Sequence, residues 1–402
     1  MAGPILQSPT EASYDVVIVG GAMMGSSVAW WLSREPGFDG SVLVVERDPS
    51  YVRSSTVASN SCIRQQFSNE LNTRISQFTA DFIRTFPEWF EDSDIPSLAT
   101  RYFGYMYLAD TEAFASTLRV NQALQASWGA GTQILSPAEI SEAFPFYNVD
   151  DIVCGSHNVV DEGYFDGGTI FDTWRTHARK NGVEYCTNEV IGIDLVNNRI
   201  TGVQLASDET IACGTVVNAA GPRAALVAAM IGIDLPVEPR KRYCFTFDAA
   251  EPLDRALPLT IDPTGVHCRS DGGFYLTGCT PDDDRAVEPD DHAIDPDVWE
   301  DKIWPALAHR IPAFERIKVV NRWVGHYSFN TLDQNAIVGP HPTVENFVFV
   351  NGFSGHGLQQ SPAMGRGVAE TITHGEYRSI DLRPLGFDRV LAGEPFLERA
   401  VI

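Results

Sequence analysis

The sequence predicts an α/β fold, α+β overall, in which a parallel β-layer is joined to a second domain of mixed or antiparallel sheet. Three observations predict it. Residues 16–19 (VVIV) form an apolar run that meets Gly20 and Gly21 and then an apolar helix start at 26–32. Residues 215–218 and 347–350 repeat the buried-strand pattern, each running into small or glycine-rich residues. Residues 237–280 instead read as consecutive strands, 237–247, 264–268 and 273–278. Strands alternating with helices build parallel sheets, whereas runs of strands build antiparallel ones.

The first element carries chemistry. Gly20, Gly21, Ala22, Met23, Met24 and Gly25 link a buried strand to a helix N-terminus. Free backbone N–H groups and the positive helix end there suit a pyrophosphate. Ala22 occupies a position usually held by glycine, which narrows the fit. The next strand, 41–45, ends in Glu46, twenty-one residues past Gly25. An acidic residue at that spacing binds a ribose hydroxyl, so the pair reads as a dinucleotide fingerprint. The plainer alternative is a tight turn in an α/β protein with no nucleotide.

Composition narrows the class. A chain of 402 residues implies two or three domains with ample core. A net charge of −24 disfavours nucleic acid and anionic membranes. Seven cysteines, with no CxxC pair, read as buried thiols in a reducing cytoplasm rather than as bridges or zinc ligands. Residues 1–13 lack the pattern of a targeting signal and are expected to form a short loose tail. No apolar run reaches membrane-spanning length.

In chain order, residues 54–61 form a hydroxyl-rich loop, including Ser55, Thr56, Asn60 and Ser61, that leads to Arg64. Such a loop can donate to a diphosphate or act only as a helix cap and linker. Leu71, Ile75, Phe78, Phe82, Phe86 and Trp89 recur at helical spacing. Strand 103–108, helix 111–128 and a short helix from 137 follow. Residues 152–168 are rich in glycine and aspartate, then 169–181 is helical. Strands 182–185, 190–195 and 202–205 precede the buried strand that ends at Ala219, Ala220 and Gly221. The acidic stretch 282–301 reads as a solvated surface loop, and no metal site is read there. The helix 299–311 is expected to break at Pro305. Near the end, 352–360 (GFSGHGLQQ) is a second strand, glycine turn and helix N-terminus, with its helix expected over 362–374.

Three stretches, VVIVGGAMMGSSVAWWL, VVNAAGPRA and GFSGHGLQQSPAMGRGVAE, resemble the D-amino acid oxidase and sarcosine oxidase (DAO) type of FAD-dependent oxidoreductase over residues 14–385. SCIRQQFS, NTLDQNAIVGPHP and GFSGHGLQQSP are most similar to its branch of complex I assembly factors and their bacterial relatives. The resemblance implies noncovalent FAD in a Rossmann-like domain of glutathione-reductase type, made of 14–90, 150–226 and 320–386. A substrate domain of 91–149 and 227–319 would roof the flavin. By the same resemblance Gly20, Ala22, Gly25 and Glu46 hold the ADP half. Arg47, Ser55, Thr56, Asn60 and Ser61 line the diphosphate and ring side. Val190 meets the adenine end through its backbone, and Ala220 and Gly221 approach the cofactor. Gly355, His356, Gly357, Leu358 and Gln359 face the pyrimidine edge of the flavin.

The implied activity is oxidation of a C–N bond in a small amino acid or N-substituted amine. Hydride passes to flavin N5, and the resulting imine hydrolyses. Arg64 matches the family's substrate-carboxylate clamp, with a structural ion pair as its alternative. His326 stands where sarcosine oxidases carry a flavin-linking cysteine; it faces substrate, accepts a proton, or simply packs. His267 and Arg269 fall among the roof residues, and Gln359 replaces a substrate-binding lysine. The lysine credited with oxygen activation has no counterpart at 275–277, so the acceptor is oxygen or another partner. An assembly or electron-transfer flavoprotein without a small substrate, or a 2-hydroxy acid or polyol phosphate oxidoreductase, are the alternatives. Homo- and hetero-oligomers stay open.

Overall fold

The computed structural model describes residue 3 and residues 5–399 of the chain. Two large sheets carry the fold, one of nine strands and one of eight. In the nine-stranded sheet, Ser13–Val19 runs parallel between Val42–Glu46 and Thr210–Asn218. Glu184–Thr187 extends the parallel layer beyond Val42–Glu46. Phe347–Asn351 joins it beside Thr210–Asn218. These strands are apolar on both faces because helices cover one side: Met23–Leu32 packs between Gly167–Lys180 and Gly357–His374. Gly365 permits the last contact, since a Cβ there would lie 2.0 Å from Ser27 Oγ. Trp30 and Trp31 are buried in this helical layer with Phe82, Phe90 and Trp174.

The eight-stranded sheet is mostly antiparallel. Its longest pair is Val237–Ala249 against Ile317–Asn330. It is mixed because Leu259–Ile261 runs parallel to Tyr105–Ala109. The expected fold class is therefore the observed one, mixed α/β with a second sheet. Cys154–Asn158 and Ile317–Asn330 pair within this second sheet. Sheet membership thus changes at other points than the expected boundaries at 150 and 320.

Several local expectations are corrected. Residues 5–13 are not a loose tail; Ile5–Leu6 is an edge strand parallel to Glu184–Thr187, and Thr10 bonds Glu184. Met1, Ala2 and Pro4 lie outside the described residues. The segment 152–168 contains two strands, Cys154–Asn158 and Gly163–Phe165. Their partners, Tyr105–Ala109 and Cys62–Ile63, are far away in sequence, so local composition did not reveal them. Pro305 does not break its helix. The helical run continues through it, but as a π-helical turn, Trp299–Ile303, followed by the α-helix Trp304–Arg310, so the usual hydrogen-bond ladder changes just before the proline. The last large helix starts at Gly357, five residues earlier than expected. All seven cysteines are free thiols, six of them buried. No described helix is long and apolar enough to cross a membrane.

Candidate active site

One cavity of about 820 Å³ runs between the two sheets. One end is walled by Gly20, Ala22, Glu46, Arg47 and Val190, the other by Arg64, Tyr105, Leu259 and His267. Between them lie the 54–60 loop, Ala220 and Gly221, and the turn 355–359.

The first end is built by the glycine turn. Gly20 has φ +97°, which glycine adopts freely. At Gly25 a Cβ would lie 1.9 Å from the Gly20 carbonyl oxygen, so strand and helix can close only around glycine. Ala22 is the N-cap of Met23–Leu32 and makes no side-chain cap bond, and the first turn holds no acidic residue. The Met23 N–H donates to Thr56 Oγ1 at 3.2 Å. Glu46 accepts the Gly21 N–H on one oxygen and the Asp48 N–H on the other, both at 2.8 Å. Burial raises its pKa, against the pull of those two N–H groups. Each carboxylate oxygen keeps a further lone pair for a ribose diol. Gly21 and Gly25 shape this end without forming cavity wall, whereas Met23 and Met24 line it; Ser61 is not cavity wall, and its carbonyl accepts the Phe165 N–H at 3.0 Å.

The hydroxyl-rich loop fastens the cofactor layer to the roof. Ser55 Oγ donates to the His326 carbonyl at 2.6 Å, and Trp323 Nε1 to the Ala58 carbonyl at 3.2 Å. Gly325 is required by this contact, since a Cβ would come within 2.7 Å of Ala58 Cβ. Asn60 Nδ2 lies 2.9 Å from His267 Nε2. The amide can only donate, so Nε2 is the acceptor and His267 carries its proton on Nδ1. That Nδ1 is buried with no partner among the described residues, on a side chain that lines the cavity. Burial first, then the Arg269 and Arg242 charges, lowers the His267 pKa to about 4. His267 is therefore a neutral donor at physiological pH.

Arg269 was expected among the pocket residues. Its guanidinium instead donates to the Asn60 carbonyl at 2.9 Å and to Asp271 at 2.8 Å, and it does not line the cavity. It holds the loop. His326 is also redirected: the residue lines the cavity, but ring Nε2 donates to the Asp291 carbonyl at 2.8 Å. The ring packs on His292 with centroids 4.4 Å apart. Nε2 is thus not available as a proton acceptor, and burial lowers the ring's pKa.

The far end gathers around Arg64, which is 1 % exposed. Its guanidinium donates to the Gln66 carbonyl, meets His356 Nε2 at 2.8 Å, and lies 4.2 Å from the Phe67 ring centroid. Gln359 Oε1 accepts the Arg64 backbone N–H at 2.9 Å. The second glycine turn therefore grips Arg64 twice, through His356 and Gln359. Gly355 has φ +95°, and a Cβ there would strike the Tyr327 ring at 2.5 Å. Sequence reading missed Tyr105, Tyr327, Leu259, Cys244 and Arg242, which line the same end. Their pairing across strands far apart in the chain leaves no local signal.

The acidic loop is also part of the site. Pro289 and Asp290 line the cavity mouth. Asp290 pairs with Arg223 at 2.5 Å and approaches Arg47 at 4.0 Å. Asp291 pairs with Lys241 at 2.7 Å, and Asp284 takes Arg242 through both oxygens. The expectation of a solvated loop missed these cations because they come from three other parts of the chain. Among the described residues no cluster could hold a metal ion.

A glycine cradle, an uncapped helix N-terminus, a ribose-spaced glutamate and a second helix start on the same cavity fit a bound FAD. The chain belongs to the DAO family of FAD dependent oxidoreductases, which matches residues 15–371. It is 38 % identical to FAD-dependent oxidoreductase domain-containing protein 1 of Bos taurus, over 98 % of this chain and 88 % of that one. It is 26 % identical to sarcosine oxidase subunit beta of Rhizobium meliloti, over 92 % of this chain and 86 % of that one. Its fold is similar to the crystal structure of L-proline dehydrogenase from P. horikoshii. That match has TM-score 0.82 and 25 % identity, over 95 % of this chain and 99 % of that one.

Proposed function

We propose that the protein oxidises the C–N bond of a small amino acid or N-substituted amino acid, with noncovalent FAD. The observation that carries this reading is the single cavity that joins the Glu46 cradle to an enclosed end bearing Arg64. FAD, when bound, supplies acceptance of two electrons and one proton from the substrate. The chain supplies the rest. Glu46 and the Met23–Leu32 N-terminus would hold ribose and diphosphate. The turn 355–359 would face the pyrimidine edge with the positive end of a long helix.

At the enclosed end Arg64 would orient a carboxylate, and the aromatic walls of Tyr105 and Tyr327 would exclude water from the reacting carbon. Neutral His267 would hold the Asn60 end of the cofactor loop against the roof. The amine enters unprotonated and loses two electrons and one α-hydrogen as a hydride equivalent. This leaves an iminium ion, the protonated imine, which takes up water outside the enclosed end. Such a reaction depends on position and exclusion of water more than on a strong base. The names of the sarcosine- and proline-oxidising relatives support this substrate class.

The acceptor that reoxidises the protein is oxygen or another carrier. Anaerobic addition of sarcosine, L-proline, glycine and a set of 2-hydroxy acids to the FAD-loaded protein tests the reading. Bleaching of the flavin by amines alone supports it. Bleaching by hydroxy acids alone moves the chain to alcohol oxidation. Bleaching by none favours an assembly or electron-transfer role.

A further inference from the structure

A carboxylate outside the described machinery underlies the Arg64 end. Glu162 is fully buried in the turn between Cys154–Asn158 and Gly163–Phe165. One oxygen accepts the Gln65 backbone N–H at 2.7 Å and Asn158 Nδ2 at 2.8 Å. The other accepts Gln66 Nε2 at 2.9 Å. Gln66 is also fixed from its other side, where its Oε1 accepts Ser156 Oγ at 2.7 Å. The carbonyl of the same Gln66 holds the Arg64 guanidinium. A chain of two hydrogen bonds, with the covalent frame of Gln66 between them, therefore runs from Glu162 to Arg64 among buried residues. In surroundings of low polarity such a chain is stiff, and the charge at its root is felt at its end.

We infer that Glu162 is a positioning residue for the Arg64 end of the cavity, fixing the 64–67 segment through Gln65 and Gln66 while its charge state sets how strongly that end attracts an anion. The inference rests on the reading of Arg64 as the carboxylate site. Other titratable groups face the same space: His356, 2.8 Å from the Arg64 guanidinium on the second glycine turn, and the buried Glu398, which accepts from Ser68, Asn69 and Asn72. Tyr105 and Tyr107 come from the roof strand, and burial raises both of their pKa values. His157 sits on the neighbouring strand, its pKa lowered by burial. Asp161, on the same turn, is paired with Arg84 at 3.0 Å. Arg64 is the charge that favours ionised Glu162, and burial opposes it, raising its pKa to about 7.

The chemistry allows charge and geometry to be separated. In Glu162→Gln the new amide would face Gln66 Nε2, donor to donor. Rotating the Gln66 amide by half a turn resolves this, because the Ser156 hydroxyl can accept as readily as donate. The variant keeps the contacts at position 162 and loses the charge, together with the long 3.4 Å bond from Gln66 Nε2 to the Tyr105 carbonyl. Glu162→Ala instead takes the acceptor from the Gln65 N–H, leaves Asn158 Nδ2 and Gln66 Nε2 only their long 3.4 Å bonds, and so loosens the 64–67 segment.

The test uses benzoate as a carboxylate probe, read from perturbation of the flavin spectrum in the FAD-loaded protein. Wild type, Glu162→Gln, Glu162→Ala and Arg64→Ala are titrated between about pH 6 and pH 8.5. Wild type should bind benzoate about tenfold more tightly at the low end, as Glu162 takes up a proton. Glu162→Gln should bind tightly and without pH dependence, and Glu162→Ala weakly across the range. Wild-type pH dependence that persists in Glu162→Gln would overturn the inference while Arg64→Ala still loses the probe. Benzoate binding unchanged in Arg64→Ala would instead remove the Arg64 reading beneath it. Wild type that binds no benzoate at either end would overturn both.

Discussion

Asn60 Nδ2 lies 2.9 Å from His267 Nε2, and this contact joins the cofactor loop of one sheet to the roof strand of the other. It also fixes the histidine tautomer, leaving a buried Nδ1–H without a partner among the described residues. The ring must stay neutral to accept from the amide, and its pKa of about 4 agrees.

A pH dependence of stability follows. The folded protein holds His267 near 4, whereas an unfolded histidine titrates near 6.5. The unfolded chain therefore binds the extra proton first, and stability falls as pH drops from about 6.5 to about 4. His267→Gln removes this contribution, of roughly 3 kcal/mol at full effect. Thermal unfolding across that range should show a shallower acid loss in the variant than in wild type. Identical slopes would place the charged ring in a solvated position.

Gly25→Ala should abolish FAD binding. Its Cβ would sit 1.9 Å from the Gly20 carbonyl oxygen, so the cradle must open. Ala22→Gly removes a methyl group from the same turn without such a clash and should keep or tighten binding. Flavin stoichiometry of the purified variants, alongside their circular dichroism, checks the contrast.

Glu46→Ala should raise the FAD dissociation constant about tenfold or more, since hydrogen bonds to a charged acceptor contribute roughly 1.5–3 kcal/mol. It also leaves the Gly21 and Asp48 N–H groups without their acceptor. Fluorescence titration of the apoprotein measures it. Unchanged affinity would make Glu46 a strand end only.

The acidic loop predicts salt sensitivity. Asp290 pairs with Arg223 and Arg47 at the cavity mouth, but its side chain is 61 % exposed. Exposed pairs are weak and screened. Asp290→Asn should therefore speed FAD release only about two- to fivefold. Raised salt should speed release from wild type and leave the variant nearly unchanged. Stopped-flow release in low and high salt reads both.

What the sequence discloses is unequal, for physical reasons. The glycine turn, Glu46 and the 352–360 turn are legible because their chemistry is local: a positive φ, a close approach and a helix end are all encoded within a few residues. Arg64 was legible from its place three residues past the loop. Glu162, Arg242 and Asp290 were not. Each acts on a partner about 40 to 240 residues away, and nothing in its own neighbourhood marks a buried carboxylate or a bound cation. Arg269 was placed with the roof residues and His326 at the site, but both with the wrong partners, because position along the chain does not tell where a long side chain ends. The leader was misread for a similar reason: Ile5–Leu6 is a strand only because Glu184–Thr187 offers it an edge.

Anaerobic reduction of the FAD-loaded protein by L-proline and by pyrrolidine, in wild type and in Arg64→Ala, tests the central claim most directly. The two amines differ only in the carboxylate that Arg64 is proposed to hold. Arg64 as a carboxylate clamp predicts rapid bleaching of wild type by L-proline or another carboxylated amine. It predicts a loss of about a hundredfold in Arg64→Ala, the scale of a charge-assisted fork, and similar slow rates for pyrrolidine in both proteins. Wild type left oxidised by every carboxylated amine, or Arg64→Ala as fast as wild type, would contradict it.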